Sequence, residues 1–150
     1  KSVVENTWQA NSRLTFLGWN KCKANSKGIR IKIEDSHPHV KALGNYLDGR
    51  QDGMVLNFSF KNWGEVCSES ESRRVDCFED IAVHEFGHAL GLEHPFSDVD
   101  GDCLYDNQPF SKASAHAGIT VMAYKPGPGR PPRFFTDYDI AVLQRIWGSE

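Results

Sequence analysis

The stretch "HEFGHALGLEH", His84 to His94, gathers three of the chain's six histidines into eleven residues, with two glutamates and two glycines among them. On a helix, positions i and i+4 lie on one face a turn apart, so His84 and His88 stand side by side and can grip one ion. Glu85 points to the adjacent edge of that face. That angle is poor for a third ligand but suits reaching a water bound to the metal, which is the H-E-x-x-H zinc pattern with its glutamate as general base. Gly91 can take the positive φ that turns the chain sharply, and His94 then arrives as the third nitrogen. Three imidazoles plus water make an open tetrahedral site, the mark of catalytic rather than structural zinc. The fixed positions of this pattern arise by chance in a chain this long with odds on the order of one in 10⁵ at average residue usage. The bland alternative is an amphipathic helix whose surface histidines happen to line up.

Around this stretch the periodicity lays out the remaining elements. "CFEDIAVHEFGHALG" reads as a helix, with Ile81, Val83, Phe86 and Leu90 apolar and Gly91 as its stop. "FTDYDIAVLQRIWG" reads as a closing helix that Thr136 or Asp137 caps, with Ile140, Leu143 and Trp147 on one face and Gly148 at its end. "VVENTWQANS" has the pattern of the last turns of a helix. "RLTFLGW" and "IRIKIED" alternate apolar and polar residues, as half-buried strands do, and "GMVLNFSF" is another strand candidate. "SHPHVKALGNYLDGRQDG" reads as a loop, and "KPGPGRPP" can form neither helix nor strand interior.

Composition sets the outer bounds. A chain of 150 residues, 39% hydrophobic and 25% charged, is expected to be a single domain with one real core. Its net charge of −3, with no Lys/Arg block, points away from nucleic acid or an anionic membrane as partner. No apolar run is long enough to span a bilayer. The opening "KSVVENTWQANS" has no apolar signal region, so the chain reads as a mature or trimmed product. The four cysteines, Cys22, Cys67, Cys77 and Cys103, contain no C-x-x-C pair. An even number in a small loop-rich chain favours two disulfides, an oxidising compartment and hence a secreted protein, against four reduced buried thiols. Three pairings are open; proximity favours Cys67–Cys77 around "SESESRRVD", leaving Cys22–Cys103.

The extended H-E-x-x-H-x-x-G-x-x-H pattern is the metzincin signature, and the run "HEFGHALGLEH" resembles the matrixins among them. Metzincins also carry a methionine in a tight turn beneath the zinc, and "ITVMAY" supplies Met122. The end "FFTDYDIAVLQRIWG" resembles the C-terminal helix of matrixins and serralysins, a match that makes Asp139 a brace for the methionine turn. The resemblance implies an α+β metzincin (zincin-like) fold: a twisted mixed sheet of about four to five strands, an active-site helix, the Met-turn and a C-terminal helix. It also implies one catalytic domain over residues 1–150, in which the family's N-terminal strand and the start of its first helix are either missing from this sequence or reduced. Its activity would be zinc-dependent endopeptidase cleavage by a zinc-bound water that Glu85 activates. Substrate would lie extended along an edge strand, for which Met54 to Phe58 is the candidate, and the protein is expected to be a monomer.

There are departures. Matrixins place tyrosine directly after the turn methionine. Here Ala123 follows it and Tyr124 comes next, as in serralysins and astacins, where that tyrosine can ligate the resting zinc and hold the oxyanion. Pro95 follows His94, as in serralysins. Matrixins hold a structural zinc with an H-x-D pair and two strand histidines; this chain has His37 and His39 in "HPH" and Asn57 in place of a strand histidine, so that second zinc is not expected. His116 is expected to be inert. Asp98, Asp100, Asp102 and Asp106 around Gly101 offer hard oxygen ligands suited to calcium, or an acidic solvated loop. Asn57 opens a glycosylation sequon, "NFS", inside an expected strand. Arg130 and Arg133 follow the Met-turn, where they could favour an acidic residue just after the scissile bond. Two other functions stay open: a zinc-holding binding module that does not cleave, and a hydrolase of non-peptide amides.

Overall fold

Nineteen residues, Glu71–Ala89, form the long helix α3. In the computed structural model, which describes residues 1–94, 120–123 and 135–149, the other elements are α1 (Ser2–Asn6), β1 (Ile31–Ile33), β2 (His39–Val40), β3 (Met54–Leu56), α2 (Glu65–Ser68) and α4 (Asp137–Trp147). Short 3-10 turns occupy Gln9–Asn11 and Gly44–Leu47. At the start of α3 the Ser70 hydroxyl accepts the Arg73 N–H at 3.1 Å, satisfying one of the donors that a helix start leaves unpaired. A disulfide between Cys67 and Cys77 ties α2 to α3. The other expected pairing, Cys22–Cys103, involves a residue outside the described ones, and Cys22 is an exposed free thiol.

The fold is α+β with a mixed sheet, as the sequence suggests. The described residues, however, form three strands rather than four to five, in the order β1-β3-β2. β1 runs parallel to β3, with Ile31 opposite Met54, and β2 runs antiparallel to it, with Val40 also opposite Met54. Two expectations change. "RLTFLGW" joins no ladder; the Phe16 N–H instead donates to Gln9 Oε1 at 2.8 Å. Met54–Leu56 is the central strand, not an edge. It is buried on both faces, which is why it reads as an unbroken apolar run. The edge beside it is β2, two residues long and hidden in the segment read as a loop.

The core lies between this sheet and α3. Val83 and Phe86 of α3 and its cap residue Leu90 share one buried cluster with Met54 and Leu56 and with Val142 and Leu143 of α4. Trp8 is fully buried; its indole N–H donates to the Val83 carbonyl at 2.9 Å, and its ring meets Phe135 edge-on at 4.7 Å between centroids. At the other end of α3, the Trp147 indole donates to the Leu90 carbonyl at 2.8 Å, satisfying an acceptor that the helix end would leave unpaired. No helix among the described residues is long and apolar enough to cross a membrane.

Candidate metal centre

The site is built where α3 stops. Gly91 sits at φ +99°, just beyond the cap residue Leu90. The Leu92 N–H donates to the Gly87 carbonyl at 3.0 Å and the Gly91 N–H to the His88 carbonyl at 2.9 Å. This pair of bonds is the Schellman closure, and a side chain at Gly91 would strain it. It reverses the chain, so His94 comes back over the face of α3 that carries His84 and His88.

The three rings converge. His94 Nε2 lies 3.1 Å from His88 Nε2 and 3.3 Å from His84 Nε2. Ligands at the zinc–nitrogen distance of about 2.0–2.1 Å in a tetrahedron are about 3.3–3.4 Å apart, so these separations fit one small ion. The protonation state fits as well. His84 Nδ1 faces the Val121 carbonyl at 2.8 Å and His88 Nδ1 faces the Leu92 carbonyl at 2.7 Å. A carbonyl only accepts, so in each neutral ring the proton sits on Nδ1 and the Nε2 lone pair points into the cluster. Burial, aided by the neighbouring His84, pushes the His88 pKa down to about 4. Burial, with His88 beside it, pushes His94 down to about 3. Both rings are therefore neutral at neutral pH, the state in which histidine binds a divalent metal.

Glu85 is buried, and its Oε2 has no hydrogen-bond partner. Desolvation raises its carboxyl pKa to about 8. An unpaired, buried carboxylate oxygen next to a cluster of ligand nitrogens is costly in the apo chain and suited to taking a proton from a water there.

Beneath the cluster lies the turn Thr120–Ala123, fully inside the protein, with Met122 at its tip. Asp139, buried in the first turn of α4, holds this turn. It accepts Thr120 Oγ1 at 2.6 Å and the Val121 N–H at 3.1 Å, and it closes a capping box with Thr136. The peptide flanking the Val121 N–H is thus fixed on one side while the Val121 carbonyl orients His84 on the other. Sequence reading missed Gly87 here. A Cβ on Gly87 would run into Met122 Sδ and lie 3.1 Å from Trp8 Cζ2, so α3 must be bare at this point. A glycine inside a strongly helical pattern is the signal that was present.

The remaining candidates lie apart. His37 is exposed, with its ring 5.0 Å from that of Trp63, and His39 Nδ1 faces the His37 carbonyl. Asn57 is fully buried among backbone and carboxylate partners. Tyr124, Cys103, His116, Arg130, Arg133 and the acidic set Asp98, Asp100, Asp102 and Asp106 fall outside the described residues. His84, His88 and His94 are the one group of three or more potential metal ligands among the described residues. A family model for matrixin matches residues 2–116, which takes in α3 and all three histidines but stops short of the Met122 turn. No curated protein matches the chain. The chain belongs to the matrixin family.

Proposed function

We propose that this chain is a secreted, zinc-dependent endopeptidase that hydrolyses internal peptide bonds of proteins. Its family points to a metalloprotease, and the convergence of three imidazole nitrogens carries the reading to zinc. His84, His88 and His94 would hold the ion, which, when bound, supplies Lewis acidity at the scissile carbonyl and lowers the pKa of water. Glu85 takes the proton of the attacking water on its unpaired oxygen and hands it to the leaving amine. The helix-end turn at Gly91 holds His94 in place, and the Asp139–Val121 link orients His84. Tyr124 is assigned to the oxyanion by resemblance alone, as calcium is to the acidic set. The open edge strand β2 takes the role of substrate template that Met54–Phe58 cannot fill from the middle of the sheet. The Cys67–Cys77 bond supports an oxidising, extracellular setting.

The test compares casein cleavage by the zinc-loaded protein with that by Glu85→Ala. Cleavage by the first alone, with zinc bound to both, supports the proposal. Failure of both to cut with one zinc bound would turn the reading to a binding role, and failure to bind zinc would remove its basis.

A further inference from the structure

The backbone of β2 bonds alternately inwards and outwards. The Lys41 N–H donates to the Gly53 carbonyl at 2.8 Å, His39 lies opposite Val55, and Val40 lies opposite Met54. In an antiparallel ladder, residues that bond to the partner strand alternate with residues that face away from it. His39 and Lys41 therefore turn their backbone groups to β3, and Val40 and Ala42 turn theirs to the open edge. The side chains alternate too. Val40 and Ala42 pack against the hydrophobic core, whereas His39 and Lys41 are exposed on the outer face of the sheet.

This edge adjoins the metal centre. Just beyond Lys41 the chain reaches Gly44, where a Cβ would lie 3.8 Å from Gly91 Cα. Gly91 begins the reversal that brings His94 back over His84 and His88. Lys41 is also held in place. Its Nζ donates to the Gln51 carbonyl at 2.9 Å, and its own carbonyl accepts Arg50 Nη1 at 3.2 Å. One bond from an ammonium leaves two of its donors for a ligand. Neither Lys41 nor Arg50 forms an ion pair with a carboxylate among the described residues. The whole chain carries a net charge of −3, so its overall field disfavours acidic substrates. Any preference for acid has to come from cations beside the bound segment.

We propose that Lys41, with Arg50 beside it, determines specificity by selecting an acidic side chain at one position of the substrate, so that the protein cleaves chains carrying Asp or Glu near the scissile bond. This rests on the peptidase reading above, with β2 as the substrate template. An extended segment that bonds to the Val40 and Ala42 backbone places the residue between those bonds beside Lys41. The side chain of that residue shares the outer face with Lys41, at about 4.5–5.5 Å between Cβ atoms. Its two neighbours point the other way, towards α3. One substrate position is therefore read by a lysine, and opposite charges at such a cross-strand pair attract.

The test is digestion of a randomised, internally quenched peptide library by the zinc-loaded protein, with cut sites read by product sequencing. Paired peptides that differ only as Asp or Asn at the selected position then give kcat/KM. Asp is expected to exceed Asn by about two- to fivefold at one position, the size of an exposed cross-strand charge pair. That advantage should shrink as NaCl is raised. Lys41→Glu should transfer the preference to Lys at the same position, and Lys41→Arg should keep it for Asp. Each preference is a ratio measured within one protein, so a smaller folded fraction leaves it unchanged. Cleavage by the wild type with no acid preference at any position would overturn the inference and leave the peptidase reading standing. So would an acid preference that persists unchanged in Lys41→Glu, which would belong to other cations. No cleavage of any peptide with zinc bound would overturn both.

Discussion

Gly87 and Met122 touch with no room for a side chain between them: a Cβ on Gly87 would overlap Met122 Sδ and crowd Met122 Cε at 3.1 Å. In an open helix, Gly→Ala would gain about 1 kcal/mol of helix propensity. Here overpacking, typically about 1–3 kcal/mol, opposes that gain and outweighs it. Gly87→Ala is therefore expected to lower Tm and weaken zinc binding, because Gly87 precedes His88 and its carbonyl closes the Leu92 turn. Adding Met122→Ala to Gly87→Ala should cost less than the two single losses combined. Thermal melts and competition with a fluorescent zinc chelator give both readings; strict additivity would show that the contact is not what excludes the side chain.

Asp139 reaches the metal centre through one residue, Val121. Its Oδ2 accepts the Val121 N–H at 3.1 Å, and the Val121 carbonyl faces His84 Nδ1 at 2.8 Å. Asp139→Asn would aim an amide NH₂ at groups that are themselves donors, at a cost of about 2–4 kcal/mol for a buried, charge-assisted set. The variant should be less stable and also bind zinc more weakly, although residue 139 makes no contact with the histidines. Zinc affinity at wild-type level in a folded Asp139→Asn protein would break the proposed link.

The parts of the site that follow local periodicity were open to sequence reading. The i, i+4 spacing placed His84 and His88 on one helix face, and Gly91 announced the reversal before His94. Periodicity is silent where geometry depends on distant segments. β2 is two residues long, too short to show a period, and only pairing with β3 makes it a strand. β3 reads as an edge candidate or a central strand alike until its neighbours are known. "RLTFLGW" shows the converse: its alternation is right for a strand, but a ladder needs a partner at its side. Gly87 could have been flagged as unusual, but its reason lies in Met122 and Trp8, which approach from both ends of the chain.

Asn57 occupies a sequon, yet its side chain is committed. Its amide donates to Asp35 Oδ1 at 3.1 Å and to the Ser36 carbonyl at 2.9 Å, while its oxygen accepts the Phe60 N–H at 2.8 Å. Burial pushes the Asp35 carboxyl up, but hydrogen bonds from Asn57, Asn62, Ser59 and Lys61 outweigh it and hold its pKa below the usual value. This amide–carboxylate clamp joins the chain after β1 to the chain after β3, where no strand histidine is present to share a second zinc. Folded protein from a glycosylating host should carry no glycan at Asn57, and intact-mass measurement should find one zinc per chain. Asn57→Ala should cost about 1–3 kcal/mol by leaving the buried Phe60 N–H unpaired. A glycan on folded protein, or two bound zinc ions, would contradict the clamp.

The metal-free protein should be most stable near pH 6.5, and zinc should change the shape of that profile. His88 and His94 have folded pKa values of about 4 and about 3, below their ordinary 6.5. As pH falls below 6.5, the unfolded chain takes up protons that the folded chain refuses, so stability declines on the acid side. Glu85 works in the opposite sense. Its folded value of about 8 stands above the ordinary 4.5, so the folded chain keeps a proton that the unfolded chain releases, and stability falls as pH rises from 4.5 to 8. Between 4.5 and 6.5 the two histidines outweigh the one carboxyl and stability rises with pH; above 6.5 only the carboxyl acts, and it falls. A bound dication favours the ionised carboxylate, so zinc should flatten the alkaline limb while steepening the acid one, where protons compete for the histidines. Urea midpoints from pH 4.5 to 8.5, with EDTA or with excess zinc, measure both limbs. An alkaline decline that survives in Glu85→Gln would show that another group causes it.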